Sequence, residues 1–387
     1  MPVPTLISQL STTASLNSPD GAVDVPSSID DYQRAHASFI AVLRDQATSI
    51  INGDTPVTNA TNATNAPLSF RNKIINGDMR IDQRNAGAAV TPTTSTYLVD
   101  RFTAVISQAS KLTFQQVADA PTGFKFSTKI TVASQFAPAA GDFFNYSQRI
   151  EGPNIIDLAF GTASAAAITV SFYAKTSVAG TYSASLANKD SDRTYVFSVA
   201  LTTSWAKYTV TIPGETTGTW ATYNAIGLIL RFNLGMGTNY QTASPNTWLA
   251  GDYLAATGSI QFVNQTAGAT LNITGVQLEA GTVATPFENR PIGTELALCQ
   301  RYYQHAISNM RITAAAVDNY LQSNINFAVT MRAGPTTTNV SAGSSANINT
   351  VIVSTAGGIA GARVEATASA AGDAYVLNRI DAFASEL

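Results

Sequence analysis

From about residue 70 onward, the sequence consists of short runs in which apolar and polar residues alternate. The runs lie at 112–117, 168–174, 195–201, 208–212, 226–232, 258–263 and 270–278. They are rich in β-branched and aromatic residues and end at Gly, Pro, Asn or Asp, which is typical of strands joined by tight turns. Since no helical segments of 10–15 residues alternate with them, a parallel α/β sheet is excluded. The pattern predicts a mainly β chain whose body, residues 67–290, is an antiparallel β-sandwich of jelly-roll type.

The same texture returns in residues 291–387, after a break at the proline-flanked segment 287–293. Residues 295–304 have a helical pattern, with Leu296, Cys299 and Tyr303 on one stripe. Strands are expected at 324–331, 350–353, 374–377 and 378–383. A segment of this size with few large apolar residues makes a weak core by itself. We therefore expect a small C-terminal β domain that packs against copies of itself.

The first 66 residues predict a different kind of structure. Residues 1–26 contain four prolines, which indicates extended chain, and Leu6, Leu10 and Leu16 are apolar residues that such a chain presents to a partner. A helix follows, with large residues at heptad spacing, which predicts a short coiled coil; they are Ile29, Tyr32, His36, Phe39, Leu43 and Ile50. A helix packing on its own protein is the alternative. Residues 52–67 read as a low-complexity linker.

Composition excludes several classes of function. Charged residues make up 12% of the chain, and 22 basic against 25 acidic residues give a net charge of −3. This balance leaves no basic surface for nucleic acid, and no apolar run approaches the length that a membrane span requires. The single cysteine, Cys299, excludes an internal disulfide and is expected to be a buried apolar residue. The N-terminus lacks the pattern of a secretory signal, so synthesis in the cytoplasm is expected.

Candidate catalytic groups are few. Asp78, Asp82 and Asp100 each lie close in sequence to an arginine (Arg80, Arg84 or Arg101), and the favoured interpretation is a set of structural ion pairs and turn contacts. Glu279 and Glu288 are interpreted as strand-end polar contacts. His36 and His305 are too few for a nucleophilic triad, and no Cys/His group has metal-ligand spacing. No catalytic residue, metal or cofactor is predicted.

Aromatic side chains offer a second possibility, since flat rings stack on sugars. Five stand out: Trp205, Trp220, Trp248, Tyr223 and Tyr240. Most are expected to fill the core, where large aromatic residues contribute much of the burial. Trp220 and Tyr223 lie in a Gly- and Thr-rich stretch that reads as a loop. Trp220, Tyr223 and Tyr240 are therefore the glycan-binding candidates.

Several segments resemble phage tail proteins. Those of the body lie at 72–85, 170–175, 180–182, 205–214, 218–220, 275–291 and 295–303. Residues 10–21 and 30–39 resemble the attachment ends of tail fibres in short-tailed phages. The resemblance implies a homotrimer whose N-terminus docks on the tail or portal–adaptor region. It also implies a jelly roll like those of carbohydrate-binding modules and a C-terminal β domain that projects outward. It supplies no catalytic residues.

These observations predict a structural protein of the virion, a tail fibre subunit that contributes to host attachment. The expected partners are phage tail proteins and a host cell-surface polysaccharide or lipopolysaccharide. Neither nucleic acid nor membrane insertion is expected. Two alternatives stay open: a purely structural connector of the tail, and a tailspike that cleaves glycan. Long shaft repeats are missing, which leaves a short fibre or a connecting appendage open.

Overall fold

The computed structural model describes residues 70–355 and 358–387. The predictions for residues 1–66, including the anchor residues and the coiled-coil residues, lie outside this part. In the body, fourteen strands are described. They are β1 (Thr96–Tyr97), β2 (Phe102–Ile106), β3 (Leu112–Val117), β4 (Ser127–Val132), β5 (Phe143–Glu151), β6 (Ile168–Thr176), β7 (Gly180–Ala187), β8 (Arg193–Leu201), β9 (Ala206–Ile212), β10 (Ile226–Met236), β11 (Gln241–Thr242), β12 (Trp248–Ala250), β13 (Ala255–Ala256) and β14 (Thr270–Ala280).

Two antiparallel sheets form the body. One has seven strands in the order β1-β2-β5-β10-β7-β8-β12, and the other has five in the order β3-β4-β14-β6-β9. Strands that follow each other in sequence often lie in different sheets, so the chain crosses repeatedly between them, as in jelly-roll sandwiches. A short parallel pair, β11 and β13, lies outside both sheets. The predicted mainly β fold with an antiparallel sandwich body is confirmed.

The core lies between the two sheets, because alternate residues of each strand point inward. Phe114 of the five-stranded sheet stacks on Tyr146 of the seven-stranded sheet, with 6.0 Å between ring centroids. Phe172 and Phe232 meet edge to face across the same layer at 5.0 Å. These rings belong to one continuous apolar cluster that includes residues of both sheets.

The C-terminal part begins with helix α1 (Ile292–Gln300) and continues in seven strands. They are β15 (Tyr303–Ala314), β16 (Tyr320–Asn326), β17 (Thr336–Ser341), β18 (Ser344–Ala346), β19 (Ile348–Ser354), β20 (Gly361–Ala368) and β21 (Gly372–Ala384). β21 is the centre of one sheet, paired with β15, β17 and β18, and β20 lies between β16 and β19 in the other. A second apolar cluster lies between these sheets. Residues 68–387 form one compact unit, and the domain limits 67–290 and 291–387 stay predictions.

Most predicted strands are confirmed, with instructive differences. The strand predicted at 324–331 is wrong beyond Asn326, where β16 ends, because burial in the C-terminal core selects apolar residues such as Met331 outside any strand. The strands predicted at 374–377 and 378–383 are a single strand, β21.

Residues 258–263 form a turn and the start of a 3-10 helix, Phe262–Asn264, instead of a strand. Phe262 and Val263 are apolar because they close one end of the core, where both are fully buried. The helix predicted at 295–304 begins earlier and ends at Gln300, and Tyr303 opens β15. No helix in the described ranges is long and apolar enough to cross a membrane.

Candidate functional site

A cleft lies on the outer face of the seven-stranded sheet. Along β5, the side chains of Phe144 and Tyr146 enter the core, so Asn145, Ser147 and Arg149 point to the opposite face. All three line the cleft, together with residues of β10, where Ile229 and Arg231 alternate in the same way with core leucines. The cleft has a volume of about 250 Å³.

The walls of the cleft come from two distant parts of the chain. Lys189 and Ser191 belong to the turn between β7 and β8, and Tyr240, Asp252 and Leu254 belong to the segment that folds back after β10. The backbone N–H of Leu254 donates to the carbonyl of Tyr240 at 2.8 Å, which holds the two sides of this returning segment together. The floor is therefore rigid sheet, and the walls are loops.

Tyr240 ends a 3-10 turn, Thr238–Tyr240. Its ring meets Phe143 edge to face at 5.6 Å and packs against a small apolar cluster with Met236 and Leu254. The side chain remains partly exposed and lines the cleft. It can therefore offer an apolar face to a ligand while its position is fixed by packing.

Two arginines dominate the charge of the floor. Arg231 is buried, and its guanidinium donates to Asp252 at 2.7 Å and to the hydroxyl of Ser191. Burial lowers the pKa of Arg231; Asp252 opposes this shift, and the like charge of Arg149 adds to it. The two arginines are thus close enough to repel each other.

One buried acceptor of the floor has no partner. Asn145 is 4% exposed, and its Oδ1 accepts no hydrogen bond within the described structure. Ser185 Oγ and Asn233 Nδ2, on neighbouring strands, are also buried without a partner. Buried polar groups are nearly always paired, since an unpaired one costs about 1–3 kcal/mol. Asn145 lies opposite Asn233 in the register of β5 and β10, so the unpaired oxygen and the unpaired amide nitrogen belong to facing residues that are both buried.

The other two aromatic candidates are placed very differently. Trp220 is 8% exposed, its Nε1 donates to the carbonyl of Thr217 at 3.0 Å, and its ring meets Trp248 and Phe160 edge to face. Protein covers the faces that stacking on a sugar requires. Tyr223 is 65% exposed and lies near enough to Lys189 to contribute to the raised pKa of that amine, whose first cause is the hydrogen bond to Asp190.

The remaining tryptophan, Trp205, lies between β8 and β9. Its Nε1 donates to Asp119 at 3.2 Å, and Lys175 lies over its ring. Trp205, partly exposed, does not line the cleft.

The carboxylates that suggested catalysis are bound in structural contacts. Asp78 pairs with Arg80, whereas Asp82 accepts the backbone N–H groups of Asn85 and Gly87 at 3.0 and 2.9 Å. Asp100 accepts from the backbone and side chain of Gln83. The interpretation as ion pairs is therefore correct for Asp78, and Asp82 and Asp100 make turn contacts.

Arg84 and Arg101 bind a different acid from the one expected. Both guanidinium groups contact Glu386, near the end of the chain, rather than Asp82 or Asp100. The expected pairing with their sequence neighbours is wrong, because the turns at 82–87 and 98–102 direct these carboxylates to backbone and amide donors.

Glu279 and Glu288 make the expected polar contacts. Glu279, near the end of β14, accepts from Gln277 at 2.8 Å and from Thr285. Glu288 accepts the backbone N–H of Asn72 at 3.0 Å and pairs with Arg290. These contacts hold the entrance and exit segments of the body together.

Cys299 and His305 are the described thiol and imidazole that nucleophilic chemistry would require. Cys299 is fully buried, and burial raises the pKa of its thiol well above the usual value. The imidazole of His305 lies 2.7 Å from the hydroxyl of Tyr303, and burial lowers its pKa. In the residues that the structure describes, no three His, Cys, Asp or Glu side chains come together in a way that could hold a metal.

Two other depressions, each of about 440 Å³, lie elsewhere on the surface. One includes Phe70 and Ile156, and the other follows β16 and β20. Although they are larger, the first is lined by residues that lie outside the strands, and the second is lined by no aromatic side chain. The cleft over β5 and β10 is therefore the stronger candidate site.

The polar cleft residues missing from the sequence-based candidates are Asn145, Ser147, Arg149, Lys189, Ser191, Arg231 and Asp252. A local signal does exist in β10, where Arg231 and Asn233 interrupt an otherwise apolar strand. A strand that is apolar on both faces is typical of a sheet covered on both faces, so polar residues within such a strand mark a polar site on its outer face.

Comparison with family models gives no match, and comparison with curated proteins gives none either. Among solved structures, TmCBM61 in complex with β-1,4-galactotriose is 10% identical, covers 55% of this chain and 99% of its own, and has a TM-score of 0.29. The family 11 carbohydrate-binding module of a cellulosomal cellulase of Clostridium thermocellum is 11% identical, with coverages of 52% and 100% and a TM-score of 0.27.

The enzymatically active domain of tailspike protein 4 of bacteriophage CBA120 is 14% identical, with a TM-score of 0.28. The match covers 55% of this chain and only 22% of the tailspike domain's own length. Because these TM-scores are low, we describe the fold of the chain from its own strand order.

Proposed function

We propose that this chain is a tail fibre subunit of a tailed bacteriophage, and that its sandwich body binds glycan on the host surface without cleaving it. The cleft over β5 and β10 is the binding site in this proposal. The single observation that carries it is the lining of that cleft, where the partly exposed ring of Tyr240 lies beside polar side chains of two rigid strands.

The chemistry of the lining supports a sugar rather than an apolar ligand. Ser147, Asn145 and Arg231 supply polar groups from rigid strands, and Tyr240 supplies a ring at one wall. Sugar recognition requires this combination, because a pyranose has hydroxyl groups around its rim and apolar C–H groups on its faces. The carboxylates considered for catalysis, Asp78 and Asp100, are bound in contacts elsewhere.

The small size of the cleft makes assembly important. A volume of about 250 Å³ lies below the roughly 300–1,000 Å³ of pockets for drug-sized ligands, so it holds few sugar units and binds each copy weakly. In the proposal, residues 1–66 attach the chain to the tail and form the coiled coil of a homotrimer. Three linked sites then gain avidity over one site without any new contact.

A structural connector of the tail is the second candidate. Its support is the C-terminal part, where Ile307 is 61% exposed and Ile352 is 58% exposed. Apolar side chains on a small domain favour coverage by another copy or another virion protein. Adsorption experiments separate the two candidates, since a connector does not compete for host receptors.

The test is competition for adsorption. Host cells are incubated with the purified full-length chain, its oligomeric state is checked by light scattering, and phage adsorption is then measured. We expect a dose-dependent loss of adsorption with the wild-type chain and a much smaller loss with Tyr240→Ala. Lys207→Gln, on β9 of the opposite sheet, is the matched surface control and should compete like the wild type. Unchanged adsorption with a well-folded wild-type trimer would reject receptor binding and favour the connector.

A further inference from the structure

We infer that one side of the C-terminal part is an interface with other copies of this chain. This side consists of β17, β18 and β19, and we call it the open side. The inference goes beyond the proposed glycan binding and does not depend on the cleft or its ligand. The open side adds a contact to the coiled coil proposed for residues 1–66, which holds the copies at a high local concentration.

The position of the open side follows from the strand order of two sheets. β15 and β17 lie at opposite ends of one sheet, and β16 and β19 lie at opposite ends of the other. β15 and β16 contact each other, so the two sheets meet on that side. The edges of β17 and β19 therefore lie together on the other side, where each pairs with a single strand among those described.

The core of the C-terminal part is incompletely covered at the open side. On β16, where the sheets meet, the core residues Leu321 and Ile325 are 1% and 6% exposed. The core-facing residues of β19 pack against the same apolar cluster but are only partly buried; they are Ile348, Val351 and Val353. Because β16 and β19 are both edge strands, an edge position alone does not explain the difference. A partner on the open side would complete the burial of this core.

The strands of the open side are also exposed outside the core. All six residues of β17 are exposed. Val340 lies at a bulge in β17 and is 53% exposed, and Ile352 of β19 is 58% exposed. Proteins usually protect an edge strand with charged residues, because its free backbone groups pair readily with another strand. No charged residue occurs from 333 to 362, the segment that contains all three strands of the open side.

A second copy of this chain matches the open side in charge and in backbone pairing. The charged residues that flank the segment, Arg332 and Arg363, are bound within the chain. Two open sides can therefore meet without burying an unpaired charge, which is unfavourable. A second copy also supplies an edge strand for the free backbone groups of β17. In a closed ring of three copies, β17 of one copy meets β19 of the next.

The first experiment introduces a charge into the open side. Light scattering over a dilution series measures the mass of the full-length wild-type chain and of Val340→Lys. We expect Val340→Lys to dissociate at a concentration at least about tenfold higher than the wild type, because the interface would bury its ammonium group without a partner. Val317→Lys is the matched control, since Val317 is 56% exposed but lies in the turn between β15 and β16. It should dissociate like the wild type.

Hydrogen exchange tests the open side without any substitution. Exchange in the wild-type oligomer is measured by mass spectrometry on peptides that cover β17. If β17 pairs with β21 alone, about half of its amides point away from that strand and exchange freely. The edge strand β9 of the body is the reference for an uncovered edge. We expect β17 to exchange more slowly than β9, because a second copy covers it.

The outcomes separate the inference from the proposed function. Equal dissociation of Val340→Lys and Val317→Lys, with exchange in β17 as fast as in β9, would overturn the inference and leave the open side to another virion protein. If the oligomer withstands dilution, the exchange rates of β17 and β9 decide. A wild-type chain that is monomeric at every concentration would overturn the inference and reject the proposed trimer. Glycan binding is tested separately, by competition with the wild type and Tyr240→Ala.

Discussion

The carboxylate of Glu386 binds the guanidinium of Arg101, whose side chain is only 1% exposed. Arg84 binds the other oxygen of the same carboxylate at 2.5 Å, and Tyr302 lies under Arg101 with 3.5 Å between guanidinium carbon and ring centroid. Arg332 donates to the carbonyl of Glu386 at 3.1 Å. The chain beyond β21 is thus bound to the entrance of the sandwich by charged hydrogen bonds.

The ion pair between Glu386 and Arg101 predicts a large loss of stability in Glu386→Gln. Glutamine keeps the shape and an accepting oxygen but leaves Arg101 buried without a counter-charge. Breaking a buried pair on one side costs about 3–5 kcal/mol, and we expect the lower end because one hydrogen bond survives. Denaturant unfolding of the full-length chain measures the loss.

Glu365→Gln is the matched control for this experiment. Glu365 pairs with Arg363 at 2.9 Å, but the two side chains are 21% and 47% exposed, and such pairs contribute about 0–1 kcal/mol. Similar small losses in both variants would show that the buried position of Glu386 contributes little.

Asp100 predicts a pH-dependent stability. Burial raises the pKa of Asp100 to about 6, against hydrogen bonds from Gln83 that lower it. The folded chain holds this proton more tightly than the unfolded chain. Ionisation of Asp100 therefore lowers the free energy of unfolding above about pH 6, and this loss disappears below about pH 4, where the carboxyl is protonated in both states. This difference in pKa between the folded and unfolded chain corresponds to on the order of 3 kcal/mol. Asp100→Asn should remove this gain on acidification, as measured by denaturant unfolding at several pH values.

Asp119→Asn is the control, because acidification should change the contribution of Asp119 to stability in the opposite direction. The hydrogen bond from Lys175 is the first cause that lowers the pKa of Asp119, so its contribution is present at neutral pH and is lost on acidification. If Asp100→Asn has the same pH profile as the wild type, the carboxyl of Asp100 titrates normally in the folded chain.

How much the sequence predicts depends on which faces of a strand are covered. The alternation in β9 is visible because one face is solvent-exposed, and the strand is predicted correctly. The helix at 292–300 is predicted with its end displaced, since Tyr303 continues the apolar stripe into a strand. A strand is wrongly predicted at 258–263, because burial at the end of the core also selects apolar residues in a segment that pairs with no strand.

The site is much less predictable than the fold. The cleft joins Asn145 of β5 to Lys189 and Asp252, which lie in segments far apart in sequence. No local spacing encodes such a meeting, because it follows from the order of strands in the sheet. Of the three aromatic candidates, Tyr240 lines the cleft, Tyr223 is exposed and Trp220 is buried. A ring in a Gly-rich stretch can pack inward or outward, and composition does not distinguish these cases.

Tyr240 and Trp220 should therefore respond differently to substitution. Tyr240→Ala should reduce glycan affinity at least about tenfold with a small change in stability, and Tyr240→Phe should retain most of the affinity because the ring remains. Trp220→Ala should cost about 3–5 kcal/mol of stability and leave the affinity of folded molecules unchanged. Calorimetric titration and unfolding of the same preparations separate the two effects. A loss of affinity in Trp220→Ala without a loss of stability would assign the contact to Trp220 instead.

The proposed coiled coil predicts that Phe39→Asp abolishes the trimer. A carboxylate at a central heptad position has no partner in the apolar interface between the helices, and a trimer would bury three such carboxylates. Light scattering of the full-length chain measures the mass. Ser38→Asp, next to Phe39 in the predicted helix but outside the heptad positions, should disturb assembly less. A trimer that survives Phe39→Asp would place the contacts between copies in the C-terminal part.

The close packing around Gly237 fixes the position of the cleft wall that carries Tyr240, and this gives a further prediction. A Cβ at this position would lie 1.9 Å from the carbonyl oxygen of Ala139 and 2.3 Å from that of Ala140. The backbone N–H of Gly237 also donates to the carbonyl of Asp142 at 2.8 Å. Gly237→Ala must therefore move the turn that carries Tyr240 away from its neighbour, and overpacking of this kind costs about 1–3 kcal/mol.

We expect Gly237→Ala to lose both stability and glycan affinity, measured by unfolding and by calorimetric titration of one preparation. Gly141→Ala is the matched control, because a Cβ there meets no atom within 4 Å. If Gly237→Ala loses stability but binds glycan with unchanged affinity, the ligand does not touch the wall formed by Tyr240. The binding surface would then lie on the floor of the cleft, which β5 and β10 form.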